Sequence, residues 1–185
     1  MKPMNRFVII TAAGPDRPGI IAGITQVLYR TGCNIEDTSM TLLRGEFSMI
    51  LIVRLPQKQS LNEIKRRLKK VQTALGLSLL LKPLSANEAR RDQQPVGRSF
   101  ILSVYGADKP GIVYGVTRLM AAHGINITDM NTRVIGPRNE PVYIMILEME
   151  IPKKVKIQTI KSKLNKLKKA VNVDITLHPA EPAQL

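Results

Sequence analysis

The sequence has no tryptophan, three phenylalanines and four tyrosines, so aromatic residues make up only 4% of it. Stacking platforms for single-stranded nucleic acid hold bases on aromatic rings, and that scarcity argues against one here. A single cysteine, Cys33, cannot close an internal disulfide and fits a reducing compartment, so a cytoplasmic protein is expected. Its counterpart later in the chain is Ile125, which makes a small buried hydrophobe the plainer role for Cys33. The two histidines, His123 and His178, have no ligand-spaced companion. No nucleophile, acid, base or metal site is assembled by any spacing, and neither catalysis nor a cofactor is expected. No apolar run approaches the roughly 20 residues of a membrane span. The opening Met1–Arg6 followed by the apolar 7–13 has the look of a signal peptide, yet a similar run recurs at 100–105, and both read as strands.

What the chain does have is charge of one sign. Its 28 Lys and Arg against 14 Asp and Glu give a formal net charge of +14, which invites a polyanionic partner but says nothing of fold. Eight lysines fall between Lys153 and Lys169, and no acidic residue occurs between 151 and 173. A run of this kind at helical spacing is ordinarily the solvated face of an amphipathic helix. No recognition-helix or RNA-binding motif accompanies it, so direct nucleic-acid binding is the alternative rather than the first reading. With 44% hydrophobic residues, 185 positions suffice for one ordinary domain or two small ones.

Two small ones is what the sequence spells. Gly14-Pro15-Asp16-Arg17-Pro18-Gly19-Ile20-Ile21 returns ninety-two positions later as Gly106-Ala107-Asp108-Lys109-Pro110-Gly111-Ile112-Val113. From Asp16 to Asp37, ten of twenty-two residues match their partners at that offset. Chance would give about one or two, so the chain is an internal duplication. In each copy the stretch ends an apolar strand and opens a helix. Asp16 and Asp108 suit an N-cap and Pro18 and Pro110 the first turn, so the spacing predicts helices over about 17–31 and 109–123. Gly32 and Gly124 stand where a left-handed C′ residue is wanted. Capping does not demand Gly19 or Gly111. Either close access by a ligand to the backbone or tight packing of the helix on a strand would explain them.

Strands from Asn34 to about Leu43 and from Phe47 to Leu55 flank Arg44-Gly45-Glu46 as a hairpin. Leu61, Ile64, Leu68, Val71 and Leu75 mark a second helix with a basic outer face, and 77–82 a fourth strand. The second half repeats this order. Its hairpin, 127–135 and 142–151, carries the inserted 136–141; a helix over about 155–170 and a strand over 173–178 close it. Residues 85–99 are polar and patternless and read as a linker. The expected division is therefore 1–84, linker 85–99, 100–180 and a tail 181–185. Each half reads β-α-β-β-α-β, which gives an α+β protein of two ferredoxin-like domains, each an antiparallel sheet with both helices on one face. The open face of such a sheet is expected to find a partner, the sister domain or a second chain.

Asp-Arg-Pro-Gly-Ile and Asp-Lys-Pro-Gly-Ile, each followed by a helix, Gly-x-Asn-Ile and a hairpin, resemble ACT domains, modules that sense amino acids and related metabolites. Two copies without a catalytic domain are most similar to the glycine cleavage system transcriptional repressor group, and Gly32-Cys33-Asn34-Ile35-Glu36-Asp37 adds to that likeness. The first half also resembles the amino-terminal module of formyltetrahydrofolate deformylases. The resemblance implies a non-enzymatic regulator that binds a small amino acid, glycine being the family's suggestion. It further implies action through a DNA-binding regulator protein; the open sheet faces point to an oligomer, and no membrane partner is expected. The second copy departs from the pattern at Ala107, Lys109 and the longer hairpin loop.

Residues and resemblance point to the same site. The expected ligand contacts are Asp16, Arg17, Gly19, Ile20, Asn34 and Ile35 in the first half, and Asp108, Lys109, Gly111, Ile112, Asn126 and Ile127 in the second. Free N–H groups and the positive end of the helix dipole suit a carboxylate. Asn34 and Asn126, expected nearby, would hydrogen-bond the ligand or else satisfy loop backbone. Asp16 and Asp108 serve as caps, ammonium partners or both.

Overall fold

The structure, a computed structural model, describes residues 7–89, 97–137 and 139–180. The expected tail, the leading residues 1–6, the middle of the expected linker and Arg138 lie outside the described residues. The chain splits into two compact units, Met1–Asp92 and Gln93–Leu185.

In the first unit β1 (Phe7–Pro15), α1 (Ile20–Arg30), β2 (Asn34–Leu43), β3 (Glu46–Arg54), α2 (Leu61–Leu75) and β4 (Ser78–Leu84) follow in order. The sheet runs β2-β3-β1-β4, antiparallel at every pairing. This is the ferredoxin-like arrangement, and its consequence is a single two-layer core. Alternate residues of the central strands, Val8, Ile10 and Ala12 on β1 and Phe47, Met49, Leu51 and Val53 on β3, meet Ile20, Ile24 and Leu28 of α1 and Ile64 and Leu68 of α2. The opposite face is of mixed character: Thr11 is flanked across the strands by Ile50 and Leu80, both exposed. The edge strand β2 is exposed along its whole length.

The second unit repeats the plan with β5 (Gly97–Ala107), α4 (Ile112–Ala122), β6 (Asn126–Ile135), β7 (Val142–Pro152), α5 (Ile157–Val171) and β8 (Val173–Pro179), ordered β6-β7-β5-β8. Its core joins Leu102 and Val104 to the inward face of β7, to Ile112, Val116 and Met120 of α4, and to Ile160 and Leu164 of α5.

Local chemistry sets the ends of these elements. Arg44 and Gly45 both take positive φ, 50° and 85°, so two residues suffice to turn β2 into β3. Gly32, at φ 69°, closes α1: its N–H donates to Tyr29 O at 2.9 Å and that of Cys33 to Leu28 O at 2.9 Å, the paired bonds of a Schellman ending. Gly124 and Ile125 do the same for α4, donating to Ala121 O and Met120 O at 3.0 Å each. The side chain of Ser60 accepts from the Glu63 N–H at 3.2 Å and caps α2.

The expected linker needs correction. The stretch 85–99 is not patternless: Ser85 and Glu88 form a capping box, with Glu88 Oε2 accepting from Ser85 N at 2.8 Å and Ser85 Oγ accepting from Glu88 N at 3.2 Å. They hold the single turn α3 (Ala86–Ala89), and β5 already begins at Gly97. The box was readable as Ser-x-x-Glu, hidden by the absence of an apolar run after it.

Replacing Ser60 by Ala should lower the stability of the chain by about 1 kcal/mol, because the α2 cap is lost while the core stays intact. Urea denaturation measures it; an unchanged midpoint would mean that Glu63 caps the turn without Ser60.

Candidate functional site

The duplicated stretch folds differently from the way its composition suggests. Pro18 disfavours the helical region for Arg17 before it, so no helix starts at 17. Instead Pro18 and Gly19 turn the chain, with Gly19 at φ 95° and ψ −7°, the values of the second central residue of a type II turn. The helix begins only at Ile20. In the second half Gly111 takes φ 97° and ψ −11°, and α4 begins at Ile112.

Asp16 and Asp108 are therefore not N-caps. Neither helix has any side-chain cap bond at its start. The backbone N–H of Asp16 instead donates to Gly45 O at 2.8 Å and ties the loop to the β2–β3 turn. Gly19 and Gly111 occupy the cap position, and each is required by its left-handed backbone. The packing explanation fails for both, since nothing lies within 4 Å of where a Cβ on either would stand. Close packing occurs elsewhere: a Cβ on Gly23 would come within 3.2 Å of Val71, and one on Gly115 within 3.0 Å of Leu167.

The result in each half is a helix beginning whose first-turn amides have no side-chain acceptor and which faces open space. Such groups, with the positive end of the dipole behind them, favour an anion. Ile20 and Ile112 contribute backbone only, because both side chains are buried in the cores. Arg17 reaches sideways: its Nη2 lies 4.0 Å from the position of a Cβ on Gly76, the residue that ends α2, where a cation is favoured. In the second half the loop 108–113 and Tyr143 line an open concavity of about 350 Å³.

Asn34 and Ile35 are not brought to this place, nor are Asn126 and Ile127. Register puts Asn34 opposite Arg54 and Asn126 opposite Glu150, whereas the helix starts lie at the sheet end marked by Gly14 opposite Phe47 and Gly106 opposite Tyr143. An 11-residue helix separates the two ends by about 16 Å. The proximity assumed from sequence fails because the helix returns the chain to the far end of the sheet before β2 starts. Asn34 Nδ2 donates to Glu36 Oε1 at 2.9 Å, and Arg54 Nε pairs with the same oxygen at 2.6 Å. Ile127 packs against the second core.

Tyr143 is the residue the sequence reasoning missed. It stands opposite Gly106 as Phe47 stands opposite Gly14, so the two are counterparts. The insertion in the second hairpin hides this at a fixed offset of ninety-two; aligning the hairpins from their strands would have found it. Tyr143 is 8% exposed, and its hydroxyl has no hydrogen-bond partner among the described residues. Burial pushes its phenol above the ordinary range; interaction with the Thr132 hydroxyl works against that, and the Asp108 carboxylate adds to it. Cys33 is likewise pushed up by burial, which keeps it a protonated thiol against the first core.

The remaining polar groups are spread out. His123 Nδ1 lies 2.9 Å from Leu119 O at the end of α4, and no three His, Cys, Asp or Glu residues among those described are grouped to hold a metal. No helix among the described residues is long and apolar enough to cross a membrane. A second concavity of about 470 Å³ lies between α1 and α2, with Arg30, Arg66, Arg67 and Lys70 on its walls and Val27 and Val71 between them. Glu63 pairs there with Arg66 and Arg67, both at 2.7 Å, and this holds its carboxyl below the usual range.

Residues 6–82 and residues 100–168 each match a family model described as an ACT domain. The chain belongs to the ACT-domain family and carries two of these domains in tandem. It is homologous in particular to the glycine cleavage system transcriptional repressor of Escherichia coli, with 32% identity over 136 residues, 74% of this chain and 69% of that one. A UPF0237 protein of Methanopyrus kandleri is 39% identical over 74 residues, 40% of this chain and 82% of the relative. Among solved structures, an unknown protein from Galdieria sulphuraria superposes with a TM-score of 0.78 at 26% identity over 95% of this chain and 99% of that one. A protein assigned as a glycine cleavage system transcriptional repressor shares the fold at TM-score 0.67 and 19% identity, over 95% and 97%.

Gly111→Ala should destabilise the chain by about 1–2 kcal/mol although nothing obstructs the new methyl, and Gly111→Asn by less, because Asn tolerates positive φ better. Equilibrium denaturation of the three proteins checks this; an Ala variant as stable as the parent would show that the turn relaxes freely.

Proposed function

We propose that this chain is a non-catalytic regulator that binds a small amino acid or related metabolite at the amino ends of α1 and α4. It passes the signal to a transcriptional regulator by protein contact. The observation that carries the reading is the pair of uncapped helix starts, opened to space by glycines at φ 95° and 97°. The contacts are the backbone of Gly19, Ile20, Gly111 and Ile112, with Asp16 and Arg17, or Asp108 and Lys109, at the rim. Asn34, Ile35, Asn126 and Ile127 belong to the other end of each sheet and touch no ligand bound at the helix start of their own half. The homology to a repressor named for the glycine cleavage system supports a role in gene expression and makes glycine the first probe. The exposed sheet residues Ile50, Leu80, Tyr105 and Ile146 suit an oligomer in the cytoplasm. Binding regulates only if the ligand prefers one arrangement of the protein over another.

A second reading rests on the basic concavity between α1 and α2: a nucleic acid or other polyanion held by Arg30, Lys70 and their neighbours. It predicts that affinity for duplex DNA falls steeply as salt is raised and that Arg30→Glu with Lys70→Glu flattens the dependence. Filter binding over a salt series decides it; a flat dependence in the parent removes this reading.

For the first reading, calorimetry against an amino-acid panel up to millimolar concentration should show binding by glycine or a close analogue. Gly19→Leu, checked for helicity and melting temperature, should abolish it in the first half by standing over the open amides. A folded Gly19→Leu protein that still binds with the full stoichiometry of the parent would exclude this site.

A further inference from the structure

The helix layer of the first unit differs from that of the second along the seam between its two helices. On α2, Glu63, Arg66, Arg67 and Lys70 stand at i, i+3, i+4 and i+7 and so share one face, while Arg30 at the end of α1 lines the same concavity of about 470 Å³ from the other side. Between these basic walls lie Val27 and Val71, both half-buried. Glu63 pairs with Arg66 and Arg67, whereas Arg30 and Lys70 have no ion pair among the described residues. The second unit fills the same seam with larger side chains. Leu119 and Leu167 stand in the places of Val27 and Val71, with Leu167 against Gly115 as Val71 is against Gly23. Ala122 stands there in the place of Arg30, and the concavity on that helix layer, from Gln158 to Lys169, is lined by α5 alone. An apolar floor between two cationic walls is thus a property of the first unit and not of the fold.

We infer that this seam is a docking groove for an acidic amphipathic helix of a partner protein: the apolar stripe of that helix lies on Val27 and Val71, and its flanking carboxylates meet Arg30 on one side and Lys70 on the other. This rests on the proposed action by protein contact and deepens it, because it names the surface and the chemistry of what the surface meets. An amphipathic helix laid in a groove is a recurring mode of recognition, with anchors at i, i+3 or i+4 and i+7. Complementary charge sets the choice of partner, since carboxylates on both flanks are drawn to the two unpaired cations and a basic helix is repelled. Arg30 and Lys70 are exposed, and their long stems extend the apolar floor while their heads stay in water. The same features fit a phosphate chain less well. It gains nothing from valines, and being charged at every residue it cannot keep clear of the Glu63 carboxylate, whereas a helix can place an uncharged side chain there.

The test is a methyl NMR titration of the whole chain at about 150 mM salt with three probes. One is a peptide of about fifteen residues with leucines at i, i+4 and i+7 and glutamates on both sides of them, the second a scrambled peptide of the same composition, the third a DNA duplex of similar length. The Val27 and Val71 methyls should move with the patterned peptide while those of Leu119 and Leu167 stay still, and the scrambled peptide should bind roughly tenfold more weakly. Arg30→Ala with Lys70→Ala should weaken the patterned peptide roughly tenfold without lowering the melting temperature, since both side chains are exposed and alanine suits a helix. The comparison of the two peptides stands without any variant. Equal binding of the two, no binding of either, or a response that leaves Val27 and Val71 unmoved overturns the inference. So does a duplex that moves the same methyls and displaces the peptide, which gives the groove to nucleic acid. Amino-acid binding by calorimetry together with failure of the patterned peptide overturns the groove alone; peptide binding without any amino-acid binding keeps the groove and removes the sensing function.

Discussion

A proline followed by a glycine with positive φ decides how each half of this protein is organised. The proline keeps the residue before it out of the helix, and the glycine then turns the chain so that α1 and α4 start late and without a side-chain cap. Had Asp16 or Asp108 capped the helix, its carboxylate would have occupied the place where an outside anion fits best. The turn thus converts a routine structural device into an accessible one. It does so at the end of the sheet where the central strand gives out and where Asp16 is tied by its N–H to the tip of the hairpin.

Most of the fold was legible because duplication, hydrophobic period and turn chemistry agree with one another. The stripe at Leu61, Ile64, Leu68 and Val71, the alternation of Phe47, Met49, Leu51 and Val53, and Arg44-Gly45 each point to a single local structure, and the order of elements then leaves few topologies. The helix starts were misread by three residues. Asp before Pro is a common capping signature, and only the φ of Gly19 shows that a turn has taken precedence.

The site was legible in part, and the division is physical. Which backbone is exposed follows from local sequence, so Gly19, Ile20, Gly111 and Ile112 could be named. Which side chains meet there is a matter of register, and that is how Asn34 and Asn126 were brought too close and Tyr143 was overlooked. Asn34 follows a Gly that ends a helix, and the length of that helix, at about 1.5 Å per residue, already implied that the chain had been carried away from Gly19. Tyr143 sits past an insertion that breaks the simple offset between the copies.

The Schellman endings at Gly32 and Gly124 have a bearing on how such a protein can change. With a positive-φ glycine at each end, α1 and α4 are clamped between two fixed stops, and both copies keep the same spacing, twelve residues, between them. One residue gained or lost inside would rotate the apolar stripe by about 100° and lift it from the sheet, with no slack at either stop to absorb the error. The hairpin tips have no such clamp. They have already diverged in length, from Arg44 and Gly45 in one copy to 136–141 in the other. Growth and shrinkage are thus confined to the tips, while the helices are open to revision only by exchanging one side chain for another.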